Sequence, residues 1–281
     1  MTNTPINSPN GSGNPPWYRQ RGKVISLIAV VLVAAGAIAL VAWNELKRPD
    51  DVSNPDVPFV KTKPKQVVPK DRTINWSTFR LNPQRTGYLP VNGIHPPFKR
   101  VWKYGDQPLL EFPPIVVDGR LYFVDNDGNA RALRADNGRE IWHRKIADLN
   151  ASTPTYARGR LYIVNLEPGH VLSMNAKNGR IIWEKPLPCR SESSPAVIRQ
   201  RVYFGCENGV LYALKARNGK EVWETSVDGA IKGAPAYEDG TLFVGDYGGV
   251  APAIRAMTGY IEWPSDSLGG SFGRAGSFYS T

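Results

Sequence analysis

Cysteine is nearly absent from this chain of 281 residues: there are two, alongside three histidines and three methionines. The histidines, His95, His143 and His170, are isolated and show no metal-ligand spacing, so each is expected on the surface or in a loop. Walker loops and zinc pairs are both missing. Charged residues make up only 21%, while glycine (27), proline (24), tyrosine (12) and tryptophan (8) are plentiful. That mix suits short strands joined by tight turns better than long helices.

Acidic residues are missing from residues 1–23, a polar leader that ends in Arg19, Arg21 and Lys23. All charge is then missing from Val24 to Trp43. As a helix, twenty residues span about 30 Å, the hydrocarbon thickness of a bilayer. The basic flank precedes the run and a mixed flank follows it, so the expectation is a single-pass anchor. By the positive-inside bias residues 1–23 are cytoplasmic, 24–43 transmembrane, and the remainder extracytoplasmic, periplasmic or at the cell surface. The alternative is a signal peptide cleaved at Ala37–Ala39, for which the run and its leader are both long. Residues 44–72 hold five prolines between Arg48 and Asp71 and read as a semi-rigid tether.

Beyond the tether the chain repeats itself. "ADNGREIW", "AKNGRIIW", "ARNGKEVW" and "AMTGYIEW" recur, and their tryptophans Trp142, Trp183, Trp223 and Trp263 stand 41, 40 and 40 residues apart. Trp102 lies 40 residues upstream of the first. Pro114, Pro154, Pro195 and Pro235 keep the same beat, as do Tyr122, Tyr162, Tyr203 and Phe243. A fixed period of this size marks a repeat architecture. Each unit carries three turn signals between four short apolar or alternating runs, and Asp-Gly and Asn-Gly pairs supply the positive φ angles of tight hairpins. The fold class expected for residues 73–281 is therefore all-β, a β-propeller of four-stranded antiparallel blades. No Trp-Asp pair or paired glycines recur as WD40 or kelch blades would require.

The unit resembles the quinoprotein-like (PQQ) repeat, whose signature is roughly A-x-D-x-x-x-G-K-x-x-W. Ala132, Gly138, Arg139 and Trp142 match it in the first unit, and Ala213, Gly219, Lys220 and Trp223 in the third. The second and fourth keep Gly179 with Trp183 and Gly259 with Trp263. The signature aspartate is replaced by Arg134, Asn175, Lys215 and Arg255. The resemblance covers about residues 76 to 263 and includes a lead-in, "WSTFRLNPQRTGYLP". It implies that Trp102, Trp142, Trp183, Trp223 and Trp263 dock neighbouring blades, each burying roughly 200 Å², with the glycines making the preceding turns.

Four complete blades and a lone strand around Trp102 are expected, an incomplete ring. Only 18 residues follow Trp263, and "GSFYST" resembles the approach to another first strand, so a partial version of a seven- or eight-bladed protein is expected. Pro252 falls where the third strand of the fourth blade should donate ladder bonds, which predicts an interruption or an edge there.

Cys189 lies in the loop entering the third blade and Cys206 at the close of its second strand. In an up-and-down blade these places share a face, which permits a disulfide in an oxidising compartment; the other reading is two separate thiols. Asp125, Asp127 and Asp246 sit in turns and shape hairpins. Dehydrogenases of the resembled family hold pyrroloquinoline quinone and Ca²⁺, but this chain lacks adjacent cysteines and the motif aspartates. No cofactor and no catalytic or metal site is expected. The net charge is +10, of which +7 remains after Lys23. Anionic lipid or cell-wall polymer is therefore a candidate partner, and nucleic acid is not. The resemblance points to the family's non-enzymatic, BamB-like branch: a protein-binding scaffold or sensor. The alternative is a membrane-tethered PQQ-dependent dehydrogenase whose active site lies in blades missing from this chain.

Overall fold

The computed structural model describes residues 16–46, 74–89, 96–105 and 109–263, with side chains in the helix described for 28–43. Most of the leader, the proline-rich tether from residue 47, His95 and the segment after Trp263 lie outside the described residues. Two compact units result, Met1–Val60 and Lys61–Thr281.

In the first unit a single helix, α1 (Pro16–Leu46), covers the charge-free run. Its described side chains, Ile28 to Trp43, are exposed. Among the described residues no helix is long and apolar enough to cross a membrane. The first four residues of the span expected over Val24–Trp43 lie outside the described side chains.

The second unit holds four four-stranded antiparallel sheets, each in simple sequential order. Blade 1 is β1 (Ile115–Val117), β2 (Arg120–Val124), β3 (Asn129–Arg134) and β4 (Glu140–Lys145). Blade 2 is β5 (Thr155–Ala157), β6 (Arg160–Asn165), β7 (His170–Asn175) and β8 (Ile181–Pro186). Blade 3 is β9 (Ala196–Ile198), β10 (Arg201–Gly205), β11 (Val210–Lys215) and β12 (Glu221–Ser226). Blade 4 is β13 (Ala236–Glu238), β14 (Thr241–Phe243), β15 (Ala253–Arg255) and β16 (Ile261–Trp263).

Two-faced burial explains why the blades stack. Alternate side chains of a strand point to opposite faces. In β6, Leu161 and Ile163 pack in the cluster with Ile115, Tyr122 and Trp142 of blade 1. Tyr162 and Val164, between them, join Val202, Phe204 and Tyr212 of blade 3. A strand apolar on both faces needs a sheet on each side. The first strands of blades 1, 2 and 3 lie next to one another, so they form the inner edge.

The regularity fails in two places. Residues 98–105 form no strand, so the lone strand expected around Trp102 is corrected to a segment without regular secondary structure. Among the described residues no neighbouring strand offers it a ladder. Blade 4 has three-residue strands throughout, and β15 begins only after Pro252, whose missing N–H cannot join the ladder.

Candidate functional site

In every blade the pairing of third and fourth strands slips by one residue at the same place, as between Ala132 and Leu133 or Ala213 and Leu214. The slip sets the tryptophan opposite a small residue: Ala132 faces Trp142, Ser173 faces Trp183, Ala213 faces Trp223 and Ala253 faces Trp263. Each indole can then reach past its own sheet to the next blade. Trp102 Nε1 donates to Ala135 O at 3.0 Å, Trp142 to Ala176 O at 3.0 Å, Trp183 to Ala216 O at 3.0 Å and Trp223 to Ala256 O at 3.1 Å. Trp263 is 58% exposed, with no such acceptor among the described residues.

The glycines do more than turn the chain. Gly138, Gly179, Gly219 and Gly259 have φ of +71°, +68°, +71° and +77°, which favours glycine. Each also forms the floor on which the preceding tryptophan lies. A Cβ at Gly138 would stand 2.6 Å from Trp102 Cε3, and one at Gly179 or Gly219 would stand 2.6 Å from Trp142 or Trp183. Ala and Gly of the repeat thus receive the previous blade's Trp, while the unit's own Trp serves the next.

Two further donors converge on the same carbonyl. Tyr162 Oη and Arg160 Nη1 reach Ala216 O at 3.2 and 3.4 Å, and Arg160 also reaches Arg217 O at 2.9 Å. Tyr203 Oη and Arg201 Nη1 reach Ala256 O at 3.0 and 3.1 Å. Blade 4 carries Thr241, without a guanidinium, and Phe243, without a hydroxyl, at these positions. The tyrosine beat was visible in the sequence without its role, and the arginines sharing it were overlooked.

The opposite face carries the loops that enter each blade and the turns joining second and third strands. Cys189 and Cys206 form a disulfide there, with Cα atoms 6.0 Å apart. Asp246, at the equivalent turn position of blade 4, accepts from Gly229 N and Val250 N, both at 2.9 Å. Asp125 does the same for the hairpin of blade 1 through Asn129 N at 2.9 Å and also pairs with Arg131. Asp127 lies in this turn, where its carbonyl accepts from Lys145 Nζ. Lys232 spans two blades, 2.7 Å from Glu192 and 3.1 Å from Glu207. Burial alone would lower its pKa, but the two carboxylate hydrogen bonds outweigh this and raise it. His143 is exposed beside Glu140. His170 corrects the surface expectation: it is buried at the start of β7, between Asn165, Pro168 O and Glu184.

The inner edge is not open. The lead-in lies along it: Trp76 pairs with Val116, Tyr156 N donates to Ser77 O at 2.7 Å, and Tyr237 N donates to Pro83 O at 2.8 Å. Arg85 is the hub of this contact, only 4% exposed. Its guanidinium donates to Pro235 O, Thr78 Oγ1, Phe79 O, Ser194 O and Pro195 O at 2.8 to 3.4 Å. Burial pushes its pKa down to about 10. Thr155 Oγ1 contacts Thr78 Oγ1 and donates to Pro195 O. The quinone and Ca²⁺ raised by the resemblance do not fit these groups, which offer a cation and already-bonded hydroxyls and carbonyls instead of carboxylate ligands. Among the described residues no group of three or more acidic, histidine or cysteine residues is placed to hold a metal ion.

Comparisons with known proteins agree with this architecture. No curated protein matches the chain in sequence. BamB from Moraxella catarrhalis is similar in structure at TM-score 0.52 and 20% identity, over 59% of this chain and 52% of that one. Quinohemoprotein alcohol dehydrogenase from Comamonas testosteroni is similar at TM-score 0.52 and 14% identity, over 60% of this chain and 38% of that one. The computationally designed Ika8 protein is similar at TM-score 0.50 and 14% identity, over 64% and 54%. The chain thus spans about half the length of the solved BamB, and identities this low show the fold alone. A family model described as "Outer membrane protein assembly factor BamB" matches residues 96–234 and 207–274, together more than half of the chain. The protein belongs to this family of PQQ-repeat β-propellers.

Proposed function

We propose that this protein is a non-enzymatic scaffold or sensor that binds a protein partner through its blade-edge loops. The observation that carries the reading is the filled inner edge: the lead-in and Arg85 take up the hydrogen bonds that converge there. The loops entering the blades and the turns near the disulfide remain for a partner. We place these blades outside the cytoplasm, tethered by the helix over Val24–Trp43. The charge-free run behind Arg19, Arg21 and Lys23 supports the tether. The Cys189–Cys206 bridge, a feature of oxidising compartments, supports the location. The +7 charge after Lys23 supports attraction to anionic lipid or wall polymer.

The test places photocrosslinking side chains at Glu207 and Asp228, in turns of the disulfide-bearing face, and at Ile182 on an outer strand. The scaffold reading expects one discrete adduct from the turns and none from Ile182. Absence of any adduct, together with dye reduction when the quinone and Ca²⁺ are added, would favour the dehydrogenase alternative. Release of the chain from membranes by alkaline carbonate would refute the tether.

A further inference from the structure

The first hairpin turn of each blade places two residues in the left-handed region, and the four blades fill it differently. Blade 1 uses Asp118 (φ +49°) with Gly119 (φ +70°), and blade 4 uses Asp239 (φ +42°) with Gly240 (φ +96°). Blade 2 has Arg158 (φ +50°) before Gly159, and blade 3 has Arg199 (φ +45°) followed by Gln200 (φ +68°). Aspartate and glycine suit such turns. Arginine gains nothing from this backbone, and Gln200 replaces a glycine kept by the other three blades. Turn formation therefore does not explain these three side chains.

All three line one cavity of about 460 Å³ between blades 2 and 3. Arg160, Tyr162 and Arg217 complete its polar lining, and among the described residues no acidic one lines it. Arg160 is fixed there by its bonds to Ala216 O and Arg217 O. Among the described residues none of the four arginines makes an ion pair. The contrast lies in blade 1, where a cavity of about 480 Å³ sets three arginines against Asp118, Asp136 and Glu140. Arg134 and Asp136 pair there at 2.7 Å. Two cavities of similar size thus differ in charge: the first is balanced, and the second gathers four guanidiniums with no carboxylate among its described lining residues.

We propose that the cavity between blades 2 and 3 binds a multiply charged phosphate group, a phosphomonoester or pyrophosphate, free or as a lipid headgroup. Guanidinium forks match phosphate oxygens in pairs, and four of them favour an anion with more than one charge. The proposal rests on the anionic-partner part of the reading above and is independent of any protein partner.

The test titrates the full chain with inorganic pyrophosphate by calorimetry. Saturable binding at one site is expected. Arg158→Asp restores the Asp-Gly pair of blades 1 and 4, so the turn is retained while binding weakens by about tenfold or more. Lys177→Asp makes the same charge change outside the cavity and leaves binding unaltered. No binding, or equal loss in the two variants, overturns the proposal. Flotation with vesicles of about 20% phosphatidic acid in phosphatidylcholine separates the sources. A preference over pure phosphatidylcholine, lost in Arg158→Asp and competed by pyrophosphate, assigns the headgroup. Pyrophosphate binding without that preference assigns a soluble phosphate.

Discussion

Gly179→Ala isolates the contact that joins the blades. At φ +68° a side chain costs about 1–2 kcal/mol in the left-handed region. The new Cβ would stand 2.6 Å from Trp142 Cε3 and 2.8 Å from Cδ2. Displacing the indole adds an overpacking cost of about 1–3 kcal/mol. It also weakens the bond from Trp142 Nε1 to Ala176 O, worth about 1 kcal/mol. The sum is about 3–6 kcal/mol. Gly159→Ala is the control, because φ is +77° but nothing lies within 4 Å of its Cβ. Only the backbone cost of about 1–2 kcal/mol applies there. Thermal unfolding followed by circular dichroism should place the Gly179 variant about 4 °C or more below the control. In a Trp142→Leu background the excess cost of Gly179→Ala should disappear, the non-additivity expected of residues in contact. Equal costs at Gly159 and Gly179 would refute the interlock.

Arg85→Met should destabilise the blades by about 3–5 kcal/mol, because it strands several buried acceptors at once. Arg85→Lys should recover little, since three donors cannot replace the fork, and limited proteolysis should then release residues 74–89. Reduction of Cys189–Cys206 should cost about 3 kcal/mol for a loop of this length; thiol titration of the unfolded protein, with melts in and out of reductant, checks it, and two free thiols beforehand would end the idea. The Glu140 pKa is lowered mainly by the Tyr104 hydrogen bond, against burial and with help from His143 and Arg131. A carboxylate lowered on folding stabilises above its unfolded pKa of about 4.3 and loses that stability as pH falls through the folded value. The difference in urea midpoint between the wild type and Glu140→Gln should therefore be present near neutrality and vanish on acidification below that range.

Much of the fold was legible because its causes are local. Hairpin turns need glycine or aspartate at fixed positions, and strands buried on both faces need unbroken apolar runs, so the units could be counted from the sequence. The two cysteines, 17 positions apart, could be brought together from strand order alone. The partners of the tryptophans could not. Indole contact with the next blade was implied by resemblance, but the receiving carbonyl lies 33 or 34 residues away. Trp102 keeps that contact without belonging to a strand, which a reading based on ladders could not anticipate.

The sequence by itself determined the repeat length, the strands within each unit and the residues that recur at equal height. A period is a property of the chain, and turn chemistry acts over a few residues. Only the tertiary structure decided that Arg85 closes the inner edge, since its acceptors include carbonyls 109 to 150 positions distant. It alone also gathered four arginines from two blades around one cavity, because side chains far apart in the chain become neighbours only when sheets stack.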